Sequence, residues 1–434
     1  MQVSSYLRQI VEKKMERHPP GIFSICSANP YVIRASMALA RDYEIPLLVE
    51  STCNQVNQYG GYINLTPSQF VEAIRRRATE LELPQDSIFL GGDHLGPSVW
   101  KNETADSALQ KSGELVRHYV RAGYKKIHLD ASMPCKDDIV PLPKETVAER
   151  EAQLCEAAVN ENYDLGEEVS ELTFVLGTEV PSPGGSLRDE EMISISSAHE
   201  TEENILHTRA AFFKHDLHDA WEQTVAFVVQ PGVEFSDTVI HHYDRDKARE
   251  LSDLIAGMEN LVFEAHSTDY QTRPALKELV EDHFAILKVG PALTFAMREA
   301  LFSLEDIEKE LLVKFEVPLS NLKNVLDQVM ISNPQYWESH YSSDPQFSAF
   351  QRKFSYLDRC RYYWARPELH SATQLLVSNL SNLDIPSALI SEYLPDLFKE
   401  ENEGQIRNNP VDLILEKISL VLEDYVEACN LQHP

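Results

Sequence analysis

The chain has 434 residues, 43% of them apolar, and a formal net charge of −30. That length suits one large domain with an appendage, or two domains, and the apolar share is that of a folded globular protein. The charge argues against nucleic-acid or anionic-membrane partners, because their phosphates would be repelled.

The six cysteines form no C-x-x-C pair and read as reduced thiols. Met1 to Pro20 is charged throughout and lacks the apolar core of a signal peptide. No stretch approaches the roughly 20 apolar residues of a membrane span. A cytoplasmic location is expected.

Residues 5–17 read as an amphipathic helix with Tyr6, Ile10, Val11 and Met15 on one side, ended by His18-Pro19-Pro20. A short apolar strand, Gly21–Ser27, follows, then a helix over Tyr31–Arg41. The second strand is Pro46–Ser51, and Thr66-Pro67 opens a helix to about Leu81. Strand three is Ser87–Gly92, with a helix around Ala105–Ala122, and strand four is Lys126–Asp130. Thr146-x-x-Glu149 has the capping-box form and starts a helix to about Asn160. Strand five is Leu172–Gly177, ending at Thr178-Glu179; strand six is Thr224–Val229, ending at Gln230-Pro231-Gly232. Strand seven is Leu261–Glu264, ending at His266, and strand eight is Phe284–Val289. A helix over about Ala292–Leu312 closes the series.

These strands read as apolar runs of the kind covered on both faces. Eight of them, most followed by a helix, within residues 21–312 point to a (β/α)₈ TIM barrel. An open doubly wound sheet is weakened by the lack of a G-x-G-x-x-G after the first strand, and there is no G-x-x-x-x-G-K-[ST]. Beyond Leu312, Leu319–Met330, Ser371–Leu383, Ile385–Leu394 and Val411–Cys429 have helical spacing. The expected organisation is therefore a barrel with an N-terminal helix over 1–312 and a helical C-terminal region over 313–434. The connection from Pro181 to Glu203 reads as a solvated loop, with a lid as the rarer alternative.

In such a barrel the C-terminal strand ends meet at one mouth, where chemistry sits. The ends are Ser27, Glu50, Asp93 with His94, Asp130, Glu179, Gln230, Glu264 with His266, and Lys288. Two histidines among carboxylates suit a divalent metal: zinc first, with manganese or iron as alternatives. His94 and His266 are the candidate ligands. His128, inside its strand, reads as a packing residue, and His241-His242 as surface residues. Asp130 is a cap or an orienting group as readily as a site residue. A metal at this mouth would polarise a sugar carbonyl, and Asp93 would move the proton of a hydroxyl. Together they would cleave a ketose between C3 and C4. Rotation and re-addition of the aldehyde would give the C4 epimer, and its release an aldolase.

Several stretches resemble the Z-type subunit of tagatose-1,6-bisphosphate aldolase. They include Gly91-Gly92-Asp93-His94-Leu95-Gly96-Pro97, Lys126 to Ser132, Gly177-Thr178-Glu179-Val180-Pro181 and Gln230-Pro231-Gly232-Val233-Glu234-Phe235. Glu264 to Thr272, Lys288 to Thr294, Cys53 to Gln58 and Asp358 to Trp364 resemble it too, so the likeness spans nearly the whole chain. It implies the barrel and a place in galactitol or amino-galactose catabolism. Z-type subunits are described as non-catalytic partners that stabilise a catalytic Y-type subunit. They have also been labelled tagatose-6-phosphate kinases, a label that the missing P-loop does not support, and some relatives are described as ketose 4-epimerases.

Class II aldolases are a more distant likeness. Their Asp-His, proton carrier then zinc ligand, matches Asp93-His94, and their late zinc histidine matches His266-Ser267. Their middle zinc histidine has no counterpart, and Glu179 is the nearest candidate ligand. Where they carry Asn-Val-Ala-Thr after the last strand this chain has Lys288-Val289-Gly290-Pro291, a departure that bears against bisphosphate cleavage.

The expected machinery is therefore Asp93 as acid/base, with Glu264 or Glu234 as second proton carrier. His94, Glu179 and His266 would hold the metal, and Asn54, Asp130, Gln230, Lys288, Arg273 and Arg359 would contact substrate. Arg273, Arg359 and Arg361 are the candidates to grip a phosphate. The expected partners are a ketohexose or ketohexose phosphate, a Y-type aldolase subunit and a second copy of the chain.

Overall fold

A computed structural model describes residues 3–177, 193–399 and 407–431. Its strands in chain order are β1 (Ile22–Ile25), β2 (Leu47–Thr52), β3 (Ile88–Leu95), β4 (Lys126–Leu129), β5 (Thr173–Gly177), β6 (Thr224–Val229), β7 (Glu234–Phe235), β8 (Ile240–His241), β9 (Val262–Ala265) and β10 (Phe284–Val289). Eight of them close a parallel barrel in the order β1-β10-β9-β6-β5-β4-β3-β2, with helices between most strands. The fold is the expected (β/α)₈ TIM barrel. β7 and β8 form a small antiparallel hairpin that the sequence pattern did not suggest.

Side chains alternate across each strand. One set faces the surrounding helices: Leu47, Val49, Ile127, Leu129, Phe263 and Leu287 belong to the main core cluster. The other set fills the lumen. At the N-terminal end it is apolar, with Ile22, Leu48, Phe89, Val175, Val262 and Ile286 in one cluster. The helix Val3–Lys13 plugs this end, adding Val3, Leu7, Ile10 and Val11 to that cluster, and its Arg8 donates to the backbone carbonyl of Glu222 (2.9 Å).

One step further along the same strands the lumen turns polar. Ser24, Glu50, Lys126, Glu264 and Lys288 are all buried there. The two ammonium groups knit the layer together: Lys126 Nζ lies 2.7 Å from Glu50 and 2.6 Å from Glu264, and Lys288 Nζ lies 2.6 Å from Glu50. Gly91 makes room for it, since a Cβ there would stand 2.5 Å from Glu50 Cγ.

Past Leu312 come helices Leu322–Ser332, Pro345–Phe354, Pro367–Ser381, Ser387–Tyr393 and Pro410–Ala428. The last packs against the barrel helices Pro30–Asp42, Arg273–Glu281 and Pro291–Leu312. Pro345–Phe354 was not anticipated, because its buried side is polar. Ser348, Gln351 and Arg352 are buried while Phe347, Phe350 and Phe354 are exposed. Among the described residues no helix is long and apolar enough to cross a membrane.

Candidate active site

β3 runs beyond its expected end at Gly92 to Leu95. Its register with β4 shifts between Gly92 and Leu95, and His94 takes a left-handed backbone (φ +49°). Bulges re-aim side chains, and a left-handed histidine is held only where its surroundings over-determine it. As a result two successive residues, Asp93 and His94, both line the mouth.

Asp93, His94, His128 and His266 present ligand atoms all within 4.8 Å of one another. The rings of His94 and His266 stand at 89° with centroids 4.8 Å apart. His94 and His266 are each oriented by a carboxylate. His94 Nδ1–H donates to Asp130 Oδ2 (2.9 Å), and His266 Nε2–H donates to Glu264 Oε1 (2.9 Å). Metal-ligating histidines commonly donate their other ring N–H to a carboxylate in this way. His128 Nε2–H donates to the Gly177 carbonyl (3.0 Å), and its Nδ1 lies 2.9 Å from Asp93 Oδ1. Two or three imidazoles with one carboxylate are a donor set that zinc accepts, and so do manganese and iron.

Electrostatics favour an ionised Asp93. Burial acts to raise its pKa, but Lys288, His94, His128 and His266 outweigh burial and hold it well below the usual carboxylate range. Lys288 Nζ is 3.1 Å from Asp93. Lys288 itself is raised well above the ordinary lysine value, against burial, by Asp93, Cys26, Glu50 and Glu264, so its nitrogen is protonated and a poor nucleophile. His94 is raised, against burial, by Asp93 and Asp130; burial takes His266 the other way, to about 3, despite Glu264.

The mouth opens into a cavity of about 740 Å³. Asn54, Asp93, His94, Asp130, His266, Lys288 and Arg359 line it, so the structure brings these expected residues together. Four others lie away from the lining. Arg273 starts an outer helix and pairs with Asp424 (2.7 Å) and Glu427 (2.6 Å) of the last helix, which takes it out of any phosphate grip. Glu264 is fully buried beneath His266 among Lys126 and Lys288, and it is held well below its usual range by those cations against burial. That position makes it an orienting group rather than a proton carrier. Gln230 accepts from Gly232 N–H (2.8 Å) and shapes the turn after β6. Glu234 sits buried behind Ser267, raised to about 7 by burial. Glu179 lies outside the described residues, as does most of the 181–203 connection.

His128, read from the sequence as a packing residue, joins the cluster of Asp93, His94 and His266. The signal was in the alternation of Lys126-Ile127-His128-Leu129-Asp130, whose polar members all face inward. The C-terminal region also reaches the cavity. Its turn Arg359–Tyr362 contributes Arg359, Arg361 and Tyr362, with Tyr336 and His340 from nearby.

A family model for the D-tagatose-1,6-bisphosphate aldolase subunit, GatZ/KbaZ-like, matches residues 7–430. A crystal structure from Sinorhizobium meliloti 1021, described as a probable tagatose 6 phosphate kinase, is 40% identical. It aligns over 94% of this chain and 100% of that one with a TM-score of 0.87. The fructuronate-tagaturonate epimerase UxaE from Cohnella laeviribosi aligns over 95% of this chain and 81% of its own, at 9% identity and a TM-score of 0.48. That likeness is too distant to bear on function. The chain belongs to the GatZ/KbaZ-like family of D-tagatose-1,6-bisphosphate aldolase subunits.

Proposed function

We propose that this protein is a metal-dependent ketose 4-epimerase that works by retro-aldol and aldol steps on tagatose and fructose 6-phosphates or the free ketoses. The observation that carries this reading is the pair of carboxylate-oriented histidines, His94 on Asp130 and His266 on Glu264, beside an ionised Asp93 in one cavity. His94 and His266 would hold the metal, with Glu179 completing the set, and zinc suits the donors best. When bound, the cation supplies positive charge for the enediolate left by C–C cleavage. Asp93 takes the proton of the C4 hydroxyl, and Lys288 keeps Asp93 ionised between turnovers. Arg359, on the cavity wall and stacked 4.7 Å over Tyr362, is the candidate for a substrate phosphate. The six unbridged cysteines agree with a cytoplasmic location.

The word "subunit" in the family description favours a second reading: a partner that stabilises a catalytic Y-type aldolase. A kinase reading, suggested by the name of the Sinorhizobium structure, finds no P-loop in the sequence.

NMR of the purified protein with zinc or manganese, on tagatose 6-phosphate and free tagatose, separates these readings. Appearance of the fructose epimer, lost in His94→Ala, is the expected result. Triose products from the bisphosphate would replace the epimerase by an aldolase. No conversion, with stabilisation of an added Y-type aldolase, would leave the accessory role.

A further inference from the structure

Inverting C4 by cleavage and re-addition requires two proton carriers. The C4 oxygen leaves as an aldehyde facing one group and, after the aldehyde turns, is re-formed facing another. Asp93 is the first. The second, expected at Glu264 or Glu234, is at neither, because one is ion-paired beneath His266 and the other stands behind Ser267.

Several titratable groups that line the cavity are already committed. Asp130 accepts from His94 and from the Ser132 hydroxyl (2.6 Å). Asp269 Oδ1 caps the helix Pro291–Leu312 through the N–H groups of Gly290 (3.0 Å) and Ala292 (2.7 Å). His266 is bound to Glu264. Tyr362 differs. Arg361 Nη2 donates to its phenolic oxygen (3.0 Å), and the guanidiniums of Arg361 and Arg359 both lie over its ring, at 4.5 and 4.7 Å. Neither arginine has a carboxylate within ion-pair distance among the described residues. Tyr336 stacks on the ring at 5.0 Å and 14°, and Tyr62 meets it edge-on at 4.9 Å, which fixes its plane.

We propose that Tyr362, its oxygen hydrogen-bonded to Arg361 and its ring covered by Arg359 in the cavity that holds Asp93, is the second proton carrier of C4 inversion. This rests on the epimerase reading above. Asp93 takes the C4 hydroxyl proton as the C3–C4 bond breaks; the electron pair of that bond passes to C3 and the C2 carbonyl, and C4 becomes an aldehyde. The aldehyde turns, C3 re-attacks its other face, and the C4 oxygen takes the phenol proton of Tyr362. The phenolate left behind is stabilised by Arg359 and Arg361. Solvent carries the proton from Asp93 back to Tyr362. In the reverse direction the Tyr362 phenolate is the base. In keeping with this, the two arginines lower the phenol's pKa in spite of burial, which acts to raise it.

The test compares wild type with Tyr362→Phe, each loaded with zinc, on tagatose 6-phosphate and on fructose 6-phosphate. Glyceraldehyde 3-phosphate that escapes is captured by a coupled dehydrogenase. Epimerisation should fall by about 10²–10⁴-fold in the variant. The variant should still release triose from one ketose, the one whose hydroxyl faces Asp93, and not from the other, with its zinc content unchanged. A variant that epimerises like wild type, or that loses cleavage of both ketoses equally while retaining zinc, would overturn the role of Tyr362. A wild type that converts neither ketose would overturn the epimerase reading itself, and the role of Tyr362 with it.

Discussion

The two halves of the barrel lumen are built from the same strands and differ by one inward step. Ile22 gives way to Ser24, Leu48 to Glu50, Phe89 to Gly91, Val262 to Glu264 and Ile286 to Lys288. The lower half is an ordinary aliphatic core, closed by the N-terminal helix, and contributes by removing apolar surface from water. The upper half contains buried charges whose attraction must offset a large desolvation cost. It is stable because every charge in it has a fixed partner, and the same fixed charges hold Asp93 ionised at the mouth. A site built this way is pre-organised at the expense of tolerance. A conservative change should do little in the lower half and much in the upper.

The largest effect should come from Lys126→Met, which keeps the volume but leaves Glu50 and Glu264 each short of a cation. Chemical denaturation should show a loss of about 3–5 kcal/mol, the range for breaking a buried pair. A loss of only a fraction of that would break the comparison.

Next is a buried carboxylate that lacks a cation among the described residues. Among the described residues Glu151 accepts from the Thr208 hydroxyl (3.0 Å) and the Gly177 N–H (3.3 Å), and burial raises it to about 8, the reverse of Glu264. Between about 4.5, its ordinary value, and about 8 the native state holds a proton that the unfolded chain has lost. Stability therefore falls as pH rises through that window. Glu151→Gln should remove the slope and leave the variant more stable at pH 7 by roughly 2–3 kcal/mol, read from denaturation midpoints between pH 5 and 8. A wild type equally stable at both ends would contradict the environment described.

Asp130→Asn keeps the shape of the group that orients His94 and removes its charge. Calorimetric zinc affinity should weaken by about 10–100-fold with the fold intact. The smallest effect belongs to the lower half, where Ile286→Val should cost about 1 kcal/mol in denaturation and leave zinc affinity unchanged.

The contrast between the halves also explains what the sequence disclosed. The barrel was legible because its strands and helices follow one another regularly, and Asp93, His94 and His266 because they close strands. His128 was passed over because a histidine inside a strand is usually packing, and only the two-residue alternation of β4 marks it as inward-facing. Arg273 was expected to grip a phosphate because a guanidinium suits that anion, yet it begins a helix on the outside, where Asp424 and Glu427 hold it. The helix Pro345–Phe354 escaped notice because its buried face is polar: Gln351 binds Asp237 (2.7 Å) and Arg352 binds Asp327 (2.7 Å). Such long-range polar pairs leave no periodic trace. The Tyr62–Tyr362 contact joins residues 300 positions apart, and no local pattern announces it.

The plug and the seam of the barrel set an order of assembly during synthesis. β1 is bonded on one side to β10, Gly21 N–H donates to the Cys429 carbonyl (3.0 Å), and Asn430 donates to the Pro19 carbonyl (2.8 Å). β1 therefore waits for residues made much later, since ring closure requires residues near 289 and locking requires those near 430. Long loops must be closed before these contacts form. Until those later residues are made, Val3, Leu7, Ile10 and Val11 have no barrel to fill, and the nascent chain carries an apolar helix face that is open to aggregation.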